Sequence, residues 1–147
     1  MIELARQDPD AAARVAAEED GQWIRQIGER PETLLDDYET PEGDRWFFDH
    51  LDRRRSFLEA ARDSVRQGPE AFAWKDIDVF LTWGFRLADI GIEIHVWHGE
   101  QDTIVERRHI DFIVNTLPNA RLTVWPDSGH QGVVRHWGEI LEAVTAS

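Results

Sequence analysis

Residues 92 to 144 constrain the fold more than any other stretch of this chain. Two short apolar, β-branched runs lie in it, Ile92-Glu93-Ile94-His95-Val96-Trp97-His98 and Ala120-Arg121-Leu122-Thr123-Val124-Trp125. Each is followed by a polar loop that contains glycine. Between them Ile110, Ile113, Val114 and Leu117 recur at the spacing of one helix face, and Pro118 ends that helix. A helical crossover of this length implies parallel strands. Parallel neighbours send both C-terminal ends to one sheet edge, where open α/β sheets build their sites. Asp102 leaves from that edge in the loop Gly99-Glu100-Gln101-Asp102, and His130 leaves from it in Asp127-Ser128-Gly129-His130. Beyond His130, the residues Val133, Trp137, Ile140, Leu141 and Val144 form a further helical face, expected to pack on the sheet.

The upstream half reads as helical. Asp8-Pro9 is an N-cap followed by proline at the first helical position, and the helix should run to about Ile27, with Gly21 as a weak point. Residues 30 to 43 are acidic, contain Pro31 and Pro41, and read as a loop with at most one helical turn. Asp44 is placed to cap a second helix reaching about Arg66, with Phe47, Leu51, Leu58 and Val65 as its stripe. Gly68-Pro69 stops it, a short helix follows before Thr82, and residues 83 to 91 connect to the first strand. Met1 to Gln7 has no clear period. The expected division is residues 1 to 90 as a helical, cap-like segment and 91 to 147 as a βαβα unit.

Charge narrows the partners. The net charge of −13 is spread over both halves, and acids outnumber bases in each. Nucleic acid and anionic membrane surfaces are therefore excluded as expected partners. No apolar run approaches a membrane span, and the acidic N-terminus lacks the basic and apolar regions of a signal peptide, so a cytoplasmic protein is expected. With no cysteine, neither disulfides nor thiolate metal sites are available. His95 and His98 are three apart on a strand and face opposite sides, which argues against a shared metal. No cofactor and no metal are expected.

A carboxylate beside a histidine is the pair that acyl transfer uses. The histidine moves the proton, and the carboxylate sets its tautomer and stabilises the imidazolium. Asp102 and His130 suit those roles; Glu100 is a rival acid in the same loop. Taken singly, Asp102 is as well explained by an Asx turn, and His130 by a loop histidine donating to a carbonyl. Trp46, Phe47 and Phe48 suit either helix packing or the lining of an acyl pocket. His109 and His136 read as surface residues of helices, and His50 has no evident role.

The order of these motifs resembles the C-terminal part of an α/β-hydrolase, a family whose sites run nucleophile, acid, histidine along the chain. Gly99-Glu100-Gln101-Asp102 after one strand and Ser128-Gly129-His130 after the next carry the resemblance. Gly68-Pro69-Glu70, Asp76 and Trp83-Gly84-Phe85-Arg86-Leu87-Ala88-Asp89-Ile90 resemble the exit from the helical cap in its proline-iminopeptidase-like branch. The resemblance covers residues 68 to 147, about half the chain. It departs at Glu106, where that branch often has proline. It implies a partial α/β-hydrolase fold and ester or amide hydrolysis, with Asp102 as the acid and His130 as the base.

The family's Gly-x-Ser-x-Gly elbow is absent. The serines are Ser56, Ser64, Ser128 and Ser147, and none follows a strand and opens a helix in that way. Gly43-Asp44-Arg45-Trp46 has no strand before it, which removes an aspartate nucleophile. Three functional expectations result. The chain supplies the acid and histidine of a hydrolase whose other half lies elsewhere, or it is a non-catalytic binding or partner domain derived from one, or it is a decayed fragment. Under the first, residues 92 to 98 form an internal strand, so its free edge should take the missing half or a second copy of the chain.

Overall fold

The computed structural model describes residues 2 to 36, 38 to 80 and 84 to 146, without the side chains of Asp76, Asp78, Val79 and Phe80. In chain order it runs α1 (Ile2–Gln7), α2 (Pro9–Glu29), α3 (Thr33–Asp36), α4 (Glu42–Phe48), α5 (Leu51–Ser64), α6 (Pro69–Phe80), a 3₁₀ turn (Leu87–Asp89), β1 (Ile94–Gly99), α7 (Arg107–Thr116), β2 (Ala120–Trp125), α8 (Gly132–Arg135) and α9 (Trp137–Thr145). The chain is mixed α/β and mostly helical, with one two-stranded parallel sheet among the described residues. No described helix is long and apolar enough to cross a membrane. Trp83, at the head of the expected connector, and Ser147 lie outside the described residues.

Two compact units emerge, Met1–Glu39 with Leu51–Trp83, and Thr40–His50 with Gly84–Ser147. The sequence placed its boundary near residue 90 and kept residues 40 to 50 with the helical segment. The structure assigns them to the sheet unit because Gly43 and Asp44 hydrogen-bond into the loops that follow β1 and β2.

In the first unit, α2 begins where Asp8-Pro9 predicts. The Asp8 carboxyl accepts from Ala11 N at 2.9 Å, and Pro9 occupies a position that has no amide to satisfy. Gly21 does not split this helix; it is buried within it. At the other end, the Arg62 guanidinium donates to the Gly28 and Glu29 carbonyls, which the helix leaves unpaired. Ala5, Ala12, Ala13 and Ile77 form one apolar cluster, and Ile24, Ile27 and Val65 a second. Alanines on the contact face let the backbones of α1, α2 and α6 approach closely.

The single helix expected from Asp44 to Arg66 is two helices, α4 and α5, with a turn at Asp49 and His50. Their compact units differ, so the stripe does not continue across the break, and Leu51 is 82% exposed. The N-cap of α4 is Pro41; Asp44 lies in its first turn and is fully buried.

The sheet unit has the expected strand–helix–strand order. β1 pairs with β2 in parallel, from Ile94 opposite Ala120 to Gly99 opposite Trp125. Asn119 fixes the start of this register: its carbonyl accepts from Ile94 N and its amide donates to Gly91 O. α7 packs on both strands, with its Ile110 and the following Leu117 buried. Its N-cap is Glu106 at φ −64°, a value proline also adopts, so glutamate substitutes there without changing the backbone. Ile94 N bonds to Asn119 O and Glu100 N to Trp125 O, so even-numbered β1 residues face β2. The amides of His95 and Trp97 therefore point away from it, to an edge without a strand among the described residues. The last helical face differs from expectation. A break at His136 divides it into α8 and α9, and Trp137, Leu141 and Val144 are 54, 46 and 61% exposed.

Candidate active site

Both parallel strands end at the same edge, and the loops beyond them are tied backbone to backbone. Glu100 N donates to Trp125 O and Gln101 N to Ser128 O, both at 2.9 Å. The approach is too close for side chains. A Cβ on Gly99 would collide with the carbonyl oxygens of Ser128 and Gly129, and one on Gly129 would lie 2.5 Å from Asp44 Oδ2. Glycine at these two positions lets the acid and histidine loops meet.

Where they meet, Asp102 and His130 are joined. The His130 Nδ1–H donates to Asp102 Oδ2 at 3.0 Å. The other carboxyl oxygen, Oδ1, accepts from Ile104 N and Val105 N at 2.9 Å each. The Asx turn and the histidine contact are therefore made by one carboxylate, one oxygen each. Burial pushes the Asp102 carboxyl up, but the hydrogen bonds from Val105, His130 and Ile104 outweigh it and hold it below the usual aspartate value. The Asp102 side chain is 7% exposed and that of His130 is 38% exposed. Thus the acid is sheltered while the base reaches outward. Among the described residues nothing bonds His130 Nε2. With the proton on Nδ1, its lone pair is available to accept a proton. Glu100 is exposed and makes no side-chain hydrogen bond among the described residues.

Beside the pair lies a cavity of about 400 Å³, walled by Trp97, Val105, Ile110, Val133, Trp137 and Ile140 around Asp102 and His130. Its walls are mostly apolar. The indole N–H of Trp97 is buried without a partner among the described residues.

Three supports were not apparent in the sequence. Gln101 bridges segments distant along the chain: its amide donates to Pro126 O at 3.0 Å, and its oxygen accepts from Gly43 N at 2.8 Å. Asp44 Oδ1 accepts from Gly129 N and Gln131 N at 3.1 Å each. A polar network runs under the histidine loop. Ser128 Oγ contacts His136 Nε2 at 3.0 Å, His136 Nδ1 lies 3.4 Å from Glu139 Oε2, and that oxygen accepts from Trp125 Nε1 at 3.0 Å. His136, expected at the surface, instead stacks on Trp125 with centroids 4.3 Å apart. The serine, histidine and glutamate follow the order of a triad, but Ser128 is fully buried and offers no oxygen to a substrate. No local periodicity signals these residues; only Gly99 and Gly129, as sites of close approach, hint at what surrounds them. Phe47 and Phe48 are buried, each in edge-to-face contact with its neighbour along α4.

Comparison with known proteins adds no relative: no family model, no curated protein and no solved structure matches the chain.

Proposed function

We propose that this chain supplies the acid and the base of an α/β-hydrolase site for a small ester or amide substrate, with the nucleophile contributed by other sequence. The observation that carries the reading is the Asp102–His130 hydrogen bond at 3.0 Å, formed across two loops at the C-terminal edge of a parallel sheet. His130 Nε2 takes the nucleophile's proton and returns it to the leaving group, and Asp102 stabilises the imidazolium between those steps. The apolar cavity is of a size that suits a small acyl group. The free edge of β1 takes a strand of the nucleophile-bearing half, and in the isolated chain a second copy competes for it.

The exposed apolar residues of α8 and α9, Val133, Trp137, Leu141 and Val144, favour a second reading. There the chain is a non-catalytic partner domain derived from a hydrolase, and the histidine edge only binds.

Turnover of an activated ester by the chain joined to a nucleophile-bearing half separates the two. His130→Ala should abolish it, Asp102→Asn should lower it by roughly 10³-fold or more, and Glu100→Gln should be mild. Turnover that survives His130→Ala contradicts the catalytic reading; damage from Glu100→Gln with none from Asp102→Asn moves the acid to Glu100.

A further inference from the structure

Asp44 is fully buried in the first turn of α4, 85 residues before the loop that it holds. One of its carboxyl oxygens, Oδ1, accepts from Gly129 N and from Gln131 N, each at 3.1 Å. These are the two amides that flank His130. The other oxygen, Oδ2, is buried without a partner among the described residues and lies against Gly129. Leaving a buried polar atom unpaired costs stability, so packing alone gives no reason for a carboxyl group here.

The histidine loop does supply a reason. Gly129 must lack a side chain because a Cβ there would strike Asp44. Glycine also gives the backbone its widest freedom immediately before the histidine. His130 itself is more than one-third exposed, so little packing holds its ring. The hydrogen bond to Asp102 needs a defined direction for the His130 Cα–Cβ bond. An acceptor that grips the amide on either side fixes that direction without touching the imidazole.

We propose that Asp44 is a positioning residue of the acid–histidine pair, setting the loop so that Nδ1 faces Asp102 and Nε2 is left free as the base. This rests on the reading of His130 as that base. Asp44 contacts no substrate; it acts through the backbone of Gly129 and Gln131. The acceptor oxygen matters and the second oxygen does not, so asparagine, which keeps one carbonyl oxygen, should replace it and alanine should not.

The test uses the 147-residue chain labelled with ¹⁵N, and reads the tautomer of the neutral His130 ring at alkaline pH from its two nitrogen shifts. In the wild type Nδ1–H should predominate. Asp102→Asn should invert the ratio, and Asp44→Ala should lower it roughly tenfold, about the effect of losing one charge-assisted or two neutral hydrogen bonds. Asp44→Asn should stay within about twofold of the wild type, far from the loss of a hydrogen bond. If Asp102→Asn changes nothing, the acid–base reading itself fails. If Asp102→Asn acts while Asp44→Ala leaves the ratio unchanged, or Asp44→Asn is as harmful as Asp44→Ala, only the positioning role is overturned. Should Asp44→Ala not fold, through-bond coupling between the Asp44 carboxyl carbon and the Gly129 and Gln131 amides of the wild type decides: its presence together with an intact Asp44→Asn supports the proposal, and its absence overturns it.

Discussion

Removing the Asp102 side chain should loosen the sheet unit by an amount its contacts define. Asp102→Ala deletes the acceptor for His130 Nδ1–H, Ile104 N and Val105 N. At about 1 kcal/mol net per bond, three bonds amount to about 3 kcal/mol. Ile104 is exposed and water can replace its bond, which favours the lower part of a range of about 2–4 kcal/mol. Asp102→Asn should cost less, about 1–2 kcal/mol, because the amide oxygen still accepts from both backbone amides. Glu100→Gln, in the same loop but without such bonds, should fall within about 0.5 kcal/mol of the wild type. The order has a pH signature. The Asp102 carboxyl titrates below its ordinary value in the folded chain, so its contribution is present above the unfolded pKa of about 3.9 and is lost as pH falls through the lower folded value. The gap between wild type and Asp102→Asn should thus be full at neutral pH and close in acid. Urea unfolding followed at the amide resonances of Val96 and Leu122 reports on the sheet unit alone. Equal midpoints for Asp102→Ala and Glu100→Gln would show that these three bonds do not hold the loop, and a gap that widens in acid would show that the carboxylate does not.

Two further outcomes follow from the same geometry. Gly99→Ala drives a methyl group into the carbonyls of the histidine loop, and should cost about 1–3 kcal/mol while broadening the His130 ring signals; sharp, unshifted signals would contradict the close approach. The isolated chain should not be labelled by a fluorophosphonate, since Ser128 is buried and the chain has no elbow serine; stoichiometric labelling at any serine would show a nucleophile that this account lacks.

Local signals in the sequence corresponded to what local physics controls. Asp8-Pro9 starts α2 because a cap and a fixed φ act within one turn. The β-branched runs around the Ile110 to Leu117 face are the two parallel strands and their helix, and the loops after them carry Asp102 and His130 to within one hydrogen bond. Asp44 shows the opposite case. Its spacing to Phe47 and Leu51 invited a cap, but its partners lie 85 and 87 residues away and leave no periodic trace. The α9 face was legible as apolar, yet amphipathicity says only that a face is apolar and not that anything covers it. His136 departs from its expected exposure for a related reason. Its position on a helical segment predicts exposure, and stacking on Trp125, eleven residues earlier, leaves it half-buried.

The proposed acid–histidine half of a larger site needs a further strand beside β1. Its His95 and Trp97 amides face away from β2 toward an edge that a further strand would complete. Amide hydrogen exchange at these two residues should be fast in the monomeric chain, while Val96 and His98, bonded across to β2, exchange slowly. Protection of His95 and Trp97 should appear only when the nucleophile-bearing half or a second copy pairs with the edge. Slow exchange at both amides in a chain that sediments as a monomer and unfolds in one sharp transition would contradict the account, because it would describe a finished domain that needs no other strand.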